Sequence, residues 1–150
     1  MKTKSGPALA AAIALTLLSA CATQERPAAA SPADFIVQTI NDGTAVKITG
    51  FTGGTTDVQI PPRLEGLPVT AIGPSAFARR HLTSVRLPDT VTHIGATAFW
   101  HNRLGEVRLP PGVVYIGNSA FARNHIDKVR VPSGAYVGVS AFDAGVLVAE

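Results

Sequence analysis

The stretch AIGPSAFARRHLTSVRLPDTVTHIG, residues 71–95, carries Ile72-Gly73 near its start and Ile94-Gly95 at its end, 22 residues later. Working outward, Ile116-Gly117 stands another 22 residues on, and Val137-Gly138 repeats the pair in weaker form. Each pair leads to an Ala-Phe, with phenylalanines at 77, 99, 121 and 142 spaced by 22, 22 and 21 residues. The tetrapeptide VRLP keeps the same period, at 85–88 and 107–110, and returns as VRVP at 129–132. Written as one unit the pattern is V-x-x-I-G-x-x-A-F-x-x-x-x-L-x-x-V-x-L-P, with copies at 69–90, 91–112 and 113–134. A fourth copy starts at Ala135, one residue short.

A fixed period of roughly 20 to 29 residues marks a solenoid, in which one repeat is one coil and buries its apolar side only against its neighbours. Every apolar position then becomes a ladder: Val85, Val107 and Val129; Leu87, Leu109 and Val131; Phe77, Phe99, Phe121 and Phe142. Within a coil, L-x-x-V-x-L-P predicts a short strand that turns Val85 and Leu87 inward and Ser84 and Arg86 outward. Proline ends it, since Pro88, Pro110 and Pro132 cannot donate to a ladder. Gly73, Gly95, Gly117 and Gly138 each follow an inward residue, where a left-handed or crowded backbone excludes a Cβ.

Ahead of the coils, Phe35 to Ile40, then Asn41-Asp42-Gly43, then Thr44 to Thr49 predict a β-hairpin on Asp-Gly turn chemistry, placed to cover the N-terminal end of the solenoid. Val58-Gln59-Ile60-Pro61 is a degenerate VRLP, and the connection from there to Ile72 is five residues longer than in the regular coils. The expected fold is therefore mainly β, a short solenoid of 22-residue coils with an N-terminal hairpin cap.

The first third has another character. MKTKSGPALAAAIALTLLSAC, residues 1–21, has two lysines, an apolar run from Ala8 to Leu18, and small residues before the single cysteine of the chain. That is the layout of a secretory signal, and the run is shorter than the roughly 20 residues of a spanning helix. Leu18-Ser19-Ala20-Cys21 resembles the lipobox of bacterial lipoproteins, which implies acylation at Cys21, a lipid anchor and, with Ala22 next, delivery to the outer membrane. Two or three acyl chains on one residue make a stable anchor. Residues 22–33, ATQERPAAASPA, are linker chemistry. Fully extended they reach about 40 Å. The organisation read from the chain is a leader over 1–20, lipidated cysteine and linker over 21–33, hairpin cap and degenerate coil over 34–68, and repeats over 69–150. The formal charge of +3 includes Lys2 and Lys4. Without the leader the chain is close to neutral, so the basic isoelectric point is no nucleic-acid footprint.

DGTAVKITGFTGGTTDVQIPPRLEGLPVTAIG, residues 42–73, together with the coils, gives residues 35–148 a pattern that resembles the BspA-like leucine-rich repeats of bacterial surface proteins. The resemblance implies a surface protein in adhesion or in binding of protein or host molecules. The family pattern contains no catalytic residues and calls for no cofactor.

The residues themselves agree with a non-catalytic reading. His81 and His125 occupy equivalent positions with Arg103 between them, so a histidine metal site is interrupted by a fixed positive charge. Gly50-Phe51-Thr52-Gly53-Gly54 lacks the Lys-Ser/Thr of a phosphate loop. A thin coil also offers no natural pocket. Two outward surfaces are the candidate binding residues. Arg86, Arg108 and Arg130, with Lys128 beside them and Glu106 as the one acid, form a basic stripe suited to an acidic protein face or an anionic glycan or glycolipid. The corner after the Phe ladder holds Arg79, Trp100, Arg103 and Arg123, where Trp100 either anchors a partner or folds over Ala78 and Ala122. Val146-Leu147-Val148 adds apolar surface to the last coil, either as a lid across its end or as a docking face for a second copy or another protein.

Overall fold

The structure, a computed structural model, describes residues 29–150. The leader and Cys21 lie outside the described residues. After a single 3-10 turn, Pro32–Asp34, closed by a capping box on Ser31, β1 (Phe35–Ile40) and β2 (Ala45–Phe51) pair antiparallel as the expected hairpin. Asn41, Asp42 and Gly43 all take positive φ in its turn, the conformation for which Asn, Asp and Gly carry the least steric cost.

From there the chain winds. In order come β3 (Asp57–Gln59), β4 (Arg63–Leu64), β5 (Leu67–Ile72), β6 (Ser84–Arg86), β7 (His93–Ile94), β8 (Tyr115–Ile116), β9 (Lys128–Arg130), β10 (Tyr136–Val137) and β11 (Leu147–Ala149). The Ile-Gly segments build one sheet in the order β1-β2-β5-β7-β8-β10, parallel from β2 onward. The five extra residues of the first coil fold back as β4, antiparallel to β5, around Glu65 and Gly66 at φ 52° and 78°. Two positive φ values at the centre of a two-residue hairpin are the type I′ pattern.

Phenylalanine forms the spine. All six phenylalanines of the chain lie in one column: Phe35, Phe51, Phe77, Phe99, Phe121 and Phe142, with successive ring centroids 5.1 to 5.3 Å apart. From Phe77 onward the rings are within 8° of parallel. The valine and isoleucine ladders flank them and are buried, except that Val137, expected inward at the end of the isoleucine ladder, is exposed on the last coil. Each such side chain contributes about 1.5 to 3 kcal/mol before entropy.

The repeated glycines resolve in favour of crowding, since none of the four has a positive φ. A Cβ on Gly95 would sit 2.7 Å from the Pro74 nitrogen, and one on Gly117 2.4 Å from the Ala96 nitrogen. The close approach lets each glycine N–H donate to the preceding coil, Gly95 to Ile72 O and Gly117 to Ile94 O, both 2.8 Å.

The VRLP face is less regular than its letters. Val58 pairs in register with Val85, so the degenerate copy is a true strand beside β6. Val148 pairs with Val129, so residues 147–149 continue the winding as a strand beside β9 and do not cross the end as a lid. Between these two pairs, residues 105–109 make no backbone hydrogen bond to either neighbour. Gly105 stands where the other coils have Thr83 and Asp127, and Pro110-Pro111 follows, so this copy has the weakest strand chemistry of the three.

Candidate functional site

Two open grooves flank the unpaired segment, contrary to the expectation that a thin coil offers no pocket. One, of about 740 Å³, runs between residues 106–111 and 128–133 and reaches Ala149 and Glu150. Val107, Leu109, Val129 and Val131 supply its apolar wall, and Arg108, Lys128 and Arg130 its charge, against Glu106 and Glu150. The other, of about 550 Å³, lies between residues 84–89 and 106–111, where Arg86 and Arg108 are balanced by Asp89 and Glu106. The stripe read from the sequence thus has one neutral and one basic half, and Asp89 joins Glu106 as an acid beside it. Arg86, Arg108, Lys128 and Arg130 are all exposed. The one arginine side-chain hydrogen bond among the described residues belongs to Arg63, from Nη1 to Gly66 O at 3.0 Å.

The corner is a different construction. Trp100 is half-buried, and arginines from both adjacent coils reach it: the guanidinium carbon of Arg79 lies 4.7 Å and that of Arg123 5.4 Å from its ring centroid. It does not stand free. Below it a third cleft, of about 390 Å³, gathers His81, His101, Asn102, Arg103, Arg123, Asn124 and His125. Among the described residues no group of three or more His, Cys, Asp or Glu is placed to hold a metal.

Asn102 fixes this corner. Only 6% exposed, it accepts at Oδ1 from the Arg80 and Leu82 N–H groups, at 3.0 and 3.1 Å. Its Nδ2 donates to Phe77 O and Phe99 O, at 2.8 and 2.9 Å. Asn124 repeats the arrangement one coil on, donating to Phe99 O and Phe121 O. In the last coil Asp143 takes over, accepting from the Arg123 and Asn124 N–H groups at 2.8 and 3.0 Å. Asn102 is a residue that the sequence reading did not single out; its recurrence as Asn124 was the available signal.

A further surface was missed. His93, Tyr115 and Tyr136 stack along the outer side of the Ile-Gly sheet, with centroids 6.1 and 5.3 Å apart. Beyond them the last coil exposes Val139 (74%), Leu147 (69%) and Val148 (55%).

The model of the BspA type leucine rich repeat region matches residues 54–146, in six copies. The chain belongs to this family. Solved leucine-rich repeat proteins share the fold of this BspA-type solenoid. One from Bacteroides capillosus ATCC 29799 aligns with a TM-score of 0.65 at 26% identity, over 78% of this chain and 95% of that one. The T. pallidum leucine-rich repeat protein TpLRR gives 0.61 at 20% identity, over 78% and 67%. A third, from Bacteroides ovatus ATCC 8483, gives 0.60 at 21% identity, over 78% of this chain and 40% of its own length. No curated protein matches the sequence.

Proposed function

We propose that this BspA-type repeat is a non-catalytic binding module, lipid-anchored through Cys21 at the bacterial outer membrane, that recognises an acidic partner through its VRLP face. The carrying observation is the groove between residues 106–111 and β9, where an unpaired strand edge lies beside an apolar wall and three cations. An extended polypeptide satisfies unpaired edges by adding hydrogen bonds, while alternate side chains fill the apolar wall. The two ligand classes suggested by the stripe, protein and anionic glycan or glycolipid, narrow on that ground to an extended acidic protein segment. No nucleic acid is called for.

The test is a panel of extended peptides, acidic and neutral, against the full chain and its Arg108→Gln/Lys128→Gln/Arg130→Gln variant. The module binds acidic peptides more weakly as salt rises, and the variant loses both the binding and the salt dependence. Absence of salt-sensitive binding anywhere in the panel overturns the reading. The anchor is tested separately: Cys21→Ala leaves the protein soluble or unprocessed, and unchanged membrane retention of that variant refutes lipidation.

The exposed apolar residues of the last coil favour a second reading, an envelope scaffold docking through that coil to a second copy or a partner. β10 and β11 are both outer strands of their sheets there. Leu147→Glu then lowers the assembled mass or partner recovery, and an unchanged mass removes this reading.

A further inference from the structure

We propose that the corner cleft is a second binding site, for the phosphate or sulfate ester groups of a linear glycan. It shares no lining residue with either strand-face groove, so it stands or falls independently of the function proposed above.

The first argument is charge. Three successive coils present cations or imidazoles at two matching positions, Arg79, His101 and Arg123 at one and His81, Arg103 and His125 at the other, all exposed, and all of these but Arg79 line the cleft. No carboxylate lines the cleft. The nearest acid in the hydrogen-bond pattern, Asp143, is already engaged by the backbone N–H groups of Arg123 and Asn124. The amide group of Asn102 is fully used by backbone partners, so what remains directed at the cleft is a set of guanidinium and imidazole donors. Donors converging from three coils suit an oxyanion with several acceptor oxygens, and arginine is the side chain whose fork matches it.

The second argument is preorganisation. A free arginine loses rotamer entropy when it binds. Contact with Trp100 holds the Arg79 and Arg123 side chains before any ligand arrives, because the face of the ring attracts a cation. Of the two, Arg123 lines the cleft, so Trp100 is a positioning residue for that arginine.

The third argument is the backbone. Arg79, His101 and Arg123 occupy one ladder position and take φ of 57°, 57° and 59°. Glycine or asparagine meets that left-handed turn at lower cost. The left-handed turn recurs at Ser75, Thr97, Ser119 and Ser140 as well, so what sets this ladder position apart is its basic side chain and not its conformation. Because the cations recur coil by coil along the solenoid axis, the matching ligand is extended along that axis, which favours a linear glycan over a single lipid headgroup.

Trp100 is the only tryptophan of the chain, so its fluorescence reports on the site directly. The full chain in neutral detergent is titrated with inorganic phosphate, with a heparin-type sulfated glycan, and with micelles carrying phosphatidic acid. The expected result is a saturable change in emission with the glycan, at least tenfold tighter than with phosphate and weakened by salt. Arg103→Gln/His125→Gln, which leaves the Trp100 contacts intact, loses at least tenfold in glycan affinity, whereas Arg86→Gln/Arg108→Gln/Arg130→Gln keeps wild-type affinity. On a sulfated-glycan column run well below the melting transition of each variant, Trp100→Ala elutes at lower salt than the wild type, and Trp100→Phe recovers part of the retention. No saturable response to the glycan, equal affinity in the Arg103→Gln/His125→Gln variant, or tighter response to phosphatidic acid micelles than to the glycan overturns the proposal.

Discussion

The two faces of the coil are written in equally regular letters and behave differently. On the Ile-Gly face every coil is joined to the next by backbone hydrogen bonds. On the VRLP face the three copies are nearly identical, yet the middle one is joined to neither neighbour, and β3-β6 and β9-β11 stand as separate pairs. The difference lies around the motif. The Ile-Gly face has a glycine in every coil where the backbones come closest. On the VRLP face the flanks vary, and Gly105 with Pro110-Pro111 gives one copy poor strand chemistry. A repeated motif fixes which side chains share a ladder; whether its backbones pair depends on the residues beside it.

Glycine itself supplies the sharpest test, because a side chain has opposite effects on the two faces. Gly117→Val forces a Cβ against the Ala96 backbone and is expected to cost about 4 kcal/mol or more, read as loss of cooperative melting. Phe99→Ala removes the middle of the ring column, which both faces rest on, and costs about 3 to 5 kcal/mol by chemical denaturation. Asn102→Ala leaves the Arg80 and Leu82 N–H groups and the Phe77 carbonyl without a partner near the corner that links the faces, while Phe99 O keeps Asn124. With about 1 to 3 kcal/mol for each buried unsatisfied group, partly offset by water, the expected loss is about 3 kcal/mol. Amide exchange should accelerate at Arg80 and Leu82. The smallest effect has the opposite sign. Gly105 has nothing within 4 Å of a Cβ, so Gly105→Thr is expected to stabilise by about 0.5 to 1 kcal/mol and to slow amide exchange across residues 106–109. Destabilisation by Gly105→Thr, or tolerance of Gly117→Val, would erase the distinction between the faces.

The period, the hairpin, the degenerate strand at Val58 and the inward ladders were legible in the sequence because each is a matter of spacing. The part of the ring column N-terminal to Phe77 was not. Phe35 and Phe51 fall outside the 22-residue period, and they join the column only because the hairpin folds onto the first coil. The roles of Asn102 and of the His93-Tyr115-Tyr136 stack depend on which coil edges meet, which one coil read alone does not reveal. For the candidate surfaces, the sequence supplied the residues of the stripe and the corner. It did not supply the gap beside residues 106–109 that makes one a groove, nor the arginine contacts that hold Trp100.

The coil also has a segment where its length is negotiable. The five added residues of the first coil and the one missing from the last both fall between the strand-ending proline and the next Ile-Gly or Val-Gly: between Pro61 and Ile72 in one case, between Pro132 and Val137 in the other. In both coils the phenylalanine still reaches its place in the column, at 5.3 Å from its neighbour. That arc therefore works as an expansion joint, absorbing insertions and deletions without transmitting them to the spine. A foreign loop or epitope grafted between Pro88 and Val91 would be displayed from a frame that does not register its presence. Lineages of such repeats are free to diversify there at little cost to the fold.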